Sequence, residues 1–280
     1  MSAIHALQPI YSIAGFAVGV LVGLTGVGGG SLMTPVLILL FGIHPATAVG
    51  TDLLHAAVTK TAGSLVHGRN RTIDWRLVRL LAAGSIPMTV TTMAGLSAID
   101  IHGAVAQELI NTVLTIALVI TAVTLVFRDK IVARYSVRLG GLAGKRVAAL
   151  TVAVGAVLGT IVSISSVGAG AIGVTALVLL YPKLPTARIV GTDIAHAVPL
   201  TLAGGIGHWL LGSIDLQVFS WLILGSVPGI LLGSYAAVHI PERALRLVLA
   251  GMLIVVATKL SFGLIQFSSN VIAAKTTTTH

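Results

Sequence analysis

Residues 50–67 read GTDLLHAAVTKTAGSLVH, and residues 191–208 read GTDIAHAVPLTLAGGIGH. The two stretches share a Gly-Thr-Asp start, a glycine at the fourteenth position, and histidines at the sixth and eighteenth positions. Glycine, aspartate and histidine coincide here within a chain dominated by leucine, valine and alanine. The agreement therefore indicates an internal duplication with a shift of 141 residues.

The duplication continues on both sides of these stretches. Downstream, Ile73-Asp74 and Gly84-Ser85 recur in the second copy as Ile214-Asp215 and Gly225-Ser226. Upstream, the shift is 140 residues, and the matching pairs are Val27 with Val167, Gly28 with Gly168, Gly30 with Gly170, and Pro45 with Pro185. Each copy thus contains a Gly-rich break, a proline and then the Gly-Thr-Asp segment.

The composition assigns the duplicated unit to a membrane. The chain is 56% hydrophobic and 9% charged, with a mean hydropathy of +1.03, whereas soluble domains carry about 25% charged residues. No long polar stretch remains for a soluble catalytic or nucleic-acid-binding domain. We interpret the chain as an all-α polytopic membrane protein with ten apolar segments: 10–26, 31–43, 46–66, 77–97, 106–127, 147–165, 171–182, 187–210, 216–239 and 245–266.

The basic residues indicate how the two copies are oriented. All of the 17 Lys and Arg residues except Lys60, Lys259 and Lys275 fall in connections that an alternating topology places on one side, and by the positive-inside rule that side is cytoplasmic. The connection after His67 is basic, whereas its counterpart after His208 is not. We therefore expect two inverted-topology repeats of about five apolar segments each, with Gly-broken helices, eight to ten crossings and both termini outside.

This arrangement divides the chain into four parts. We expect a first membrane repeat at 1–130, a basic cytoplasmic linker at 131–146, a second membrane repeat at 147–270 and a polar tail at 271–280. The Gly-broken segments in each repeat are either two tilted spans or one re-entrant hairpin, and both options give the same parity.

A polar face on the third segment is the first candidate for chemistry. Asp52 and His55 share this face with Thr59, Gly63 and His67, at steps of three or four residues. Lys60 lies inside the same apolar segment, where ionisable side chains normally face a protein interior or an aqueous cavity. Lys60 has Thr201 as its counterpart, so the repeat symmetry is broken there. One interpretation of Lys60 is a fixed positive charge for an anion. The alternative is that its side chain extends to the nearby cytoplasmic boundary.

The acidic residues Asp52 and Asp193 are harder to interpret, because an ionised carboxylate is unfavourable next to an anion. Each could hold the histidine three residues later, His55 or His196, in one tautomer, or could carry a proton. Each also follows a Gly-Thr pair, so each could instead cap the start of a helix.

The Gly-rich breaks suggest a second contribution to a binding site. A helix N-terminus presents free backbone N–H groups, and glycine allows a ligand to approach the backbone closely. Hydroxyl groups lie beside both breaks, which suits a small oxyanion. The alternative is that the glycines only permit close helix packing.

Together these features define one set of candidate binding residues from the two copies: Gly28, Gly29, Gly30, Ser31, Thr51, Asp52, His55, Lys60, Ser165, Ser166, Gly168, Gly170, Thr192, Asp193 and His196. No catalytic residue is assigned. We expect neither a metal nor another cofactor, because the histidines have no cysteine or carboxylate-rich cluster beside them.

Several of these motifs carry a family resemblance. Thr25-Gly-Val-Gly-Gly-Gly-Ser-Leu-Met-Thr-Pro35, the stretch Pro45 to Asp52, and the second copy from Ser165 to Asp193 resemble the TauE/SafE family of sulfite and organosulfonate exporters. The resemblance covers nearly the whole chain, and it implies export of a small sulfur-containing oxyanion across a prokaryotic inner membrane. Its matching positions, the Gly-rich turns and the Thr-Asp pairs, are expected to line the transport path. The family pattern assigns no role to Lys60.

These expectations define the partners and the rival functions. The partners are a small-molecule anion and membrane lipid, with a possible homo-oligomer and no nucleic acid. We expect a transporter rather than an enzyme. The main alternative is a channel-like facilitator for small anions or neutral solutes, and a membrane enzyme or assembly factor is a further alternative.

Overall fold

The computed structural model describes the backbone of residues 2–25, 30–140, 144–237 and 242–277. In these ranges the chain forms ten α-helices and no strand. They are α1 (Ser2–Thr25), α2 (Gly30–Phe41), α3 (Pro45–Arg69), α4 (Trp75–Ser97), α5 (Ala104–Gly140), α6 (Gly144–Ser165), α7 (Ala171–Leu180), α8 (Thr186–Leu210), α9 (Leu216–Ala237) and α10 (Glu242–Thr277). The prediction of an all-helical chain with ten apolar segments is confirmed.

Local sequence explains several of the helix boundaries. Pro45 opens α3, where the missing N–H of proline costs nothing. Asp74 caps α4 by accepting hydrogen bonds from the backbone N–H groups of the second and third helical residues, Arg76 and Leu77, at 3.1 and 3.3 Å. Asp215 caps α9 in the same way at 2.9 Å. At the C-terminal end of α8, Gly212 takes a positive φ of 70°, a conformation that glycine adopts freely.

Two helices extend beyond the predicted segments. α5 has 37 residues and continues through the basic stretch to Gly140, so the segment predicted as a linker at 131–146 is largely helical. α10 has 36 residues and reaches Thr277, so its helix enters the predicted polar tail. Charged and small side chains do not stop a helix, and no glycine or proline interrupts the chain between 104 and 139.

The described part of the chain contains six helices that are long and apolar enough to cross a bilayer, namely α4, α5, α6, α8, α9 and α10. α2 and α7 have 12 and 10 residues. They are about 18 and 15 Å long, which is shorter than a hydrocarbon core of about 30 Å. The protein is therefore a multi-pass membrane protein, and the expected eight to ten crossings stay a prediction.

Glycines allow two helix pairs to pack with their backbones in contact. α1 packs along α9, and α4 packs along α6. A Cβ atom built on Gly19 would lie 2.6 Å from the carbonyl oxygen of Ser226. A Cβ atom on Gly159 would lie 2.5 Å from the carbonyl oxygen of Ser85. Such small-residue packing is typical of membrane helices.

α3 and α8 pack against each other in opposite directions. Gly50, near the start of α3, faces His208 near the end of α8, because a Cβ on Gly50 would lie 2.7 Å from the histidine Cβ. Gly191, near the start of α8, faces His67 near the end of α3, because a Cβ on Gly191 would lie 2.9 Å from the histidine Nδ1. These two helices carry most of the candidate site.

Candidate functional site

α3 places three ionisable side chains inside the protein. Asp52 is 0% exposed, His55 is 4% exposed and Lys60 is 8% exposed. Lys60 lies within two residues of the midpoint between Gly50 and His67, which is about 3 Å or less along the helix. The lysine is therefore buried near the middle of the α3–α8 contact.

α8 adds Asp193, which is 2% exposed, and His196, which is 0% exposed. The ammonium group of Lys60 acts electrostatically on the carboxylates of Asp193 and Asp52 and on the imidazole of His196. We call Asp52, His55, Lys60, Asp193 and His196 the α3–α8 cluster. Lys60 is the one Lys or Arg among the buried residues that the structure describes.

The two histidines of the cluster make matching contacts. The Nε2 atom of His55 shares a hydrogen bond of 2.8 Å with the hydroxyl of Ser226 in α9. The Nε2 atom of His196 shares one of 2.9 Å with the hydroxyl of Ser85 in α4. In the sequence the two serines stand out only as repeat positions. The repeat could have suggested this pairing, because the two histidines occupy equivalent positions in the two copies and so do the two serines.

Thr51 and Thr192 lie beside the cluster but serve the neighbouring turns. The backbone N–H of Asp215 donates to the hydroxyl of Thr51 at 3.1 Å, and the N–H of Asp74 donates to the hydroxyl of Thr192 at 2.9 Å. Thr192 in turn donates to the carbonyl of Arg188 at 2.6 Å. These hydroxyls tie each central helix to the start of α9 or α4.

The histidines at the far ends of the same helices also stabilise turns. His67 shares a hydrogen bond of 2.8 Å with Thr72, and His208 shares one of 2.9 Å with Ser213. His208 also contacts the carbonyl oxygen of Ser163 at 3.0 Å. The structure therefore separates these two histidines from His55 and His196.

The interpretation of Asp52 and Asp193 as caps of their own helices is wrong. α3 begins at Pro45 and α8 begins at Thr186, so each aspartate lies in the eighth position of a continuous helix. The helices start earlier because a proline precedes or opens each of them and the residues before the aspartates continue the helix.

The environments of the two aspartates differ. The Oδ2 atom of Asp52 accepts hydrogen bonds from the backbone N–H of Thr34 at 3.2 Å and from its hydroxyl at 2.6 Å. Its Oδ1 atom lies 3.8 Å from Nδ1 of His55. The carboxylate of Asp193 instead packs against Gly173 of α7, and its Oδ1 atom has no hydrogen-bond partner among the described residues.

The second Gly-rich break forms a tight turn between α6 and α7. Ser165 donates its hydroxyl to the carbonyl of Ile161 at 2.7 Å. Ser166 has a positive φ of 60°, and Gly168 has one of 109°. Gly170 caps α7 three residues before Gly173, so the turn leads directly to the helix that contacts Asp193.

The first Gly-rich break is only partly described. Gly28 and Gly29 lie outside the described residues, as does the side chain of Ser31. Gly30 is the first residue of α2. α2 also carries Thr34, which contacts Asp52.

Several buried polar atoms of the cluster and of the turn between α6 and α7 have no hydrogen-bond partner among the described residues: Oδ1 of Asp52, Oδ1 of Asp193, Nδ1 of His196 and Oγ of Ser166. A buried polar group without a partner costs about 1–3 kcal/mol, and water or a ligand usually satisfies such groups. The cluster therefore combines charge, burial and free hydrogen-bonding capacity.

Comparisons with known proteins agree with this architecture. The probable membrane transporter protein YjnA of Bacillus subtilis strain 168 is 39% identical over 251 residues, which cover 89% of this chain and 97% of the relative. The probable membrane transporter protein YdhB of the same organism is 25% identical over 232 residues, covering 82% and 91%. No solved structure matches the chain. The model of the family described as sulfite exporter TauE/SafE matches residues 11–260, so the chain belongs to this family of membrane transporters.

Proposed function

We propose that the protein exports a small sulfur-containing oxyanion, such as sulfite, sulfoacetate or a similar organosulfonate, across a prokaryotic inner membrane. The observation that carries this proposal is the burial of Lys60 at the middle of the α3–α8 contact. A buried ammonium group needs negative partners, and a transported anion can share that role with the cluster's carboxylates.

The chemistry around Lys60 suits an oxyanion. An ammonium group has three donors, and the imidazoles of His55 and His196 are held in place by Ser226 and Ser85. The hydroxyl of Ser166, which has no hydrogen-bond partner in the described part of the chain, supplies another donor close to the start of α7. Oxygen atoms of a sulfite or sulfonate group accept hydrogen bonds from all of these groups.

We also propose that the two halves are inverted repeats and that the anion binds between them. The opposite directions of α3 and α8 support this proposal. Pairs of equivalent contacts, in which each half takes the role that the other half has in the matching contact, also support it. Thr51 accepts from Asp215, and the residues 141 positions away repeat the contact in exchanged order, as Thr192 accepts from Asp74. Inverted-repeat transporters bind their substrates near the bilayer midplane and expose them alternately to the two sides.

The inverted arrangement implies the remaining topology. The basic connections face the cytoplasm, and both termini face outside. Export needs no nucleotide, because an anion leaving a negative interior gains about 2.3 kcal/mol per elementary charge per 100 mV.

Direct binding and transport measurements test this function. Purified protein is titrated with sulfite, sulfoacetate, sulfate, thiosulfate and taurine, and then inside-out vesicles are assayed for uptake of the best ligand. Inward movement in such vesicles corresponds to export from the cell. We expect saturable binding of at least one sulfur oxyanion and saturable uptake. An absence of binding for the whole set would refute the proposal, and uptake that does not saturate would favour the channel-like alternative.

A further inference from the structure

We infer that binding of the anion is linked to uptake of one proton by Asp193. This inference depends on the proposed function, because it concerns the same anion and the same cluster. It identifies the coupling ion and distinguishes two aspartates that the sequence repeat makes equivalent.

The first argument is the difference in hydrogen bonding between the two acids. Thr34 donates twice to Asp52, and hydrogen bonds of this kind stabilise the ionised form of a carboxyl group. With the 140-residue shift of this region, the counterpart of Thr34 is Val174, which has no hydroxyl to donate. Asp193 packs instead against Gly173, and its Oδ1 atom is buried without a partner among the described residues.

The second argument is the charge around Asp193. Lys60 of α3 interacts electrostatically with Asp193, and it also interacts with His196, three residues further along α8. The buried residues of α4, α6 and α7 include no charged side chain. Arg188 of α8 is engaged at the helix start by Asp74, at 3.5 Å. Lys60 is therefore the cation that balances Asp193 when the site is empty.

An incoming anion competes with Asp193 for the same ammonium group. The cluster would then contain two carboxylates and the anion against one positive charge, in an interior that screens repulsion poorly. Taking a proton onto Oδ1 of Asp193 removes one negative charge. The protonated carboxyl is also a hydrogen-bond donor, so Asp193 can then donate to an oxygen of the anion instead of repelling it.

The proton balance of a transport cycle follows directly. The carboxylate takes a proton from the aqueous side to which the site is open, and it returns the proton to water when the anion leaves. A monovalent anion would thus move as a neutral pair with its proton, so its own concentration gradient, and not the membrane potential, would drive its export. A divalent oxyanion would keep one negative charge, and a negative interior would still favour its export.

Isothermal titration of the purified protein with sulfoacetate in two buffers of different ionisation enthalpy measures the protons taken up per anion. Sulfoacetate stays fully ionised at neutral pH, so any proton taken up goes to the protein. We expect uptake to approach one proton on the alkaline side, where Asp193 is ionised in the empty site, and we expect affinity there to rise by up to about tenfold for each pH unit lowered. Asp193→Asn should bind without proton uptake and without this pH dependence.

Two further variants keep the test decisive. Asp52→Asn is the matched comparison: its affinity should differ, because Asp52 belongs to the cluster, but the bound anion should still be accompanied by proton uptake at Asp193. Val174→Thr restores to the second copy the hydroxyl donor of the first, so proton uptake should move to lower pH while Asp193 remains present. Binding by the wild type without proton uptake, or persistent uptake in Asp193→Asn, would overturn the inference and leave the proposed function intact. Failure of the wild type to bind both sulfoacetate and sulfite would instead refute the proposed function.

Discussion

Replacing Lys60 by methionine is the most direct perturbation of the proposed site. Methionine keeps much of the aliphatic volume and removes the charge. The side chain is 8% exposed, so water and salt screen its interaction with a bound anion only weakly. A charge-assisted hydrogen bond of this kind contributes about 1.5–3 kcal/mol. The expected loss of affinity is therefore about ten- to a hundredfold.

Titration calorimetry with sulfite and sulfoacetate measures this loss. Lys60→Arg should weaken binding less, because it keeps the charge, although the larger planar group does not match the geometry of an ammonium. Lys259→Met is the control, since Lys259 lies exposed on α10 and should not affect affinity. An affinity for Lys60→Met within about twofold of the wild type would refute a direct contact with the anion.

Three other predictions test the arrangement of the helices. The natural chain has no cysteine. A single introduced cysteine is then the only thiol that a reagent can label. A cysteine at Arg71 should resist an impermeant thiol reagent in intact cells, because the proposed topology places it in the cytoplasm, whereas one at Gly212 should be labelled from outside. Labelling at position 71 would contradict the inverted topology. Ser85→Ala should lower the free energy of unfolding by about 1–3 kcal/mol, because it leaves both ring nitrogens of His196 without a partner among the described residues. An unchanged thermal midpoint would argue against the hydrogen bond between Ser85 and His196. Gly159→Val should disrupt the α4–α6 contact and reduce the yield of monodisperse protein in size-exclusion chromatography, since no side chain fits there.

The sequence predicted the helices well because their apolar runs are separated by clear breaks. Each of the ten predicted segments has a matching helix. The ends of α5 and α10 lie beyond the predicted segments because hydropathy locates only the apolar part of a helix. Polarity marks where a membrane segment ends, whereas glycine and proline more often mark where the helix itself ends.

The candidate site was only partly predictable. Spacing along one helix placed Asp52 and His55 on one face of the third segment, Lys60 was a candidate because it is a cation inside the same segment, and the repeat added Asp193 and His196. The roles of the hydroxyl groups required three-dimensional contacts. Thr51 and Thr192 stand next to the aspartates in the sequence, but their hydroxyls contact the starts of other helices. The donors to Asp52 come from α2, which spacing within α3 cannot reveal.

The contrast between repeated and unrepeated contacts explains how a duplicated chain can hold a single charged site. The His–Ser pairs and the Thr–backbone pairs occur in both halves. In the proposed inverted arrangement, exchanging the halves converts an inward-open form into an outward-open one, so repeated contacts favour neither form. Lys60 and Thr34 occur once, with Thr201 and Val174 as their counterparts. Because Lys60 lies near the middle of the α3–α8 contact, one lysine can serve the anion in both forms, and a second buried lysine would add the desolvation cost of a further charge.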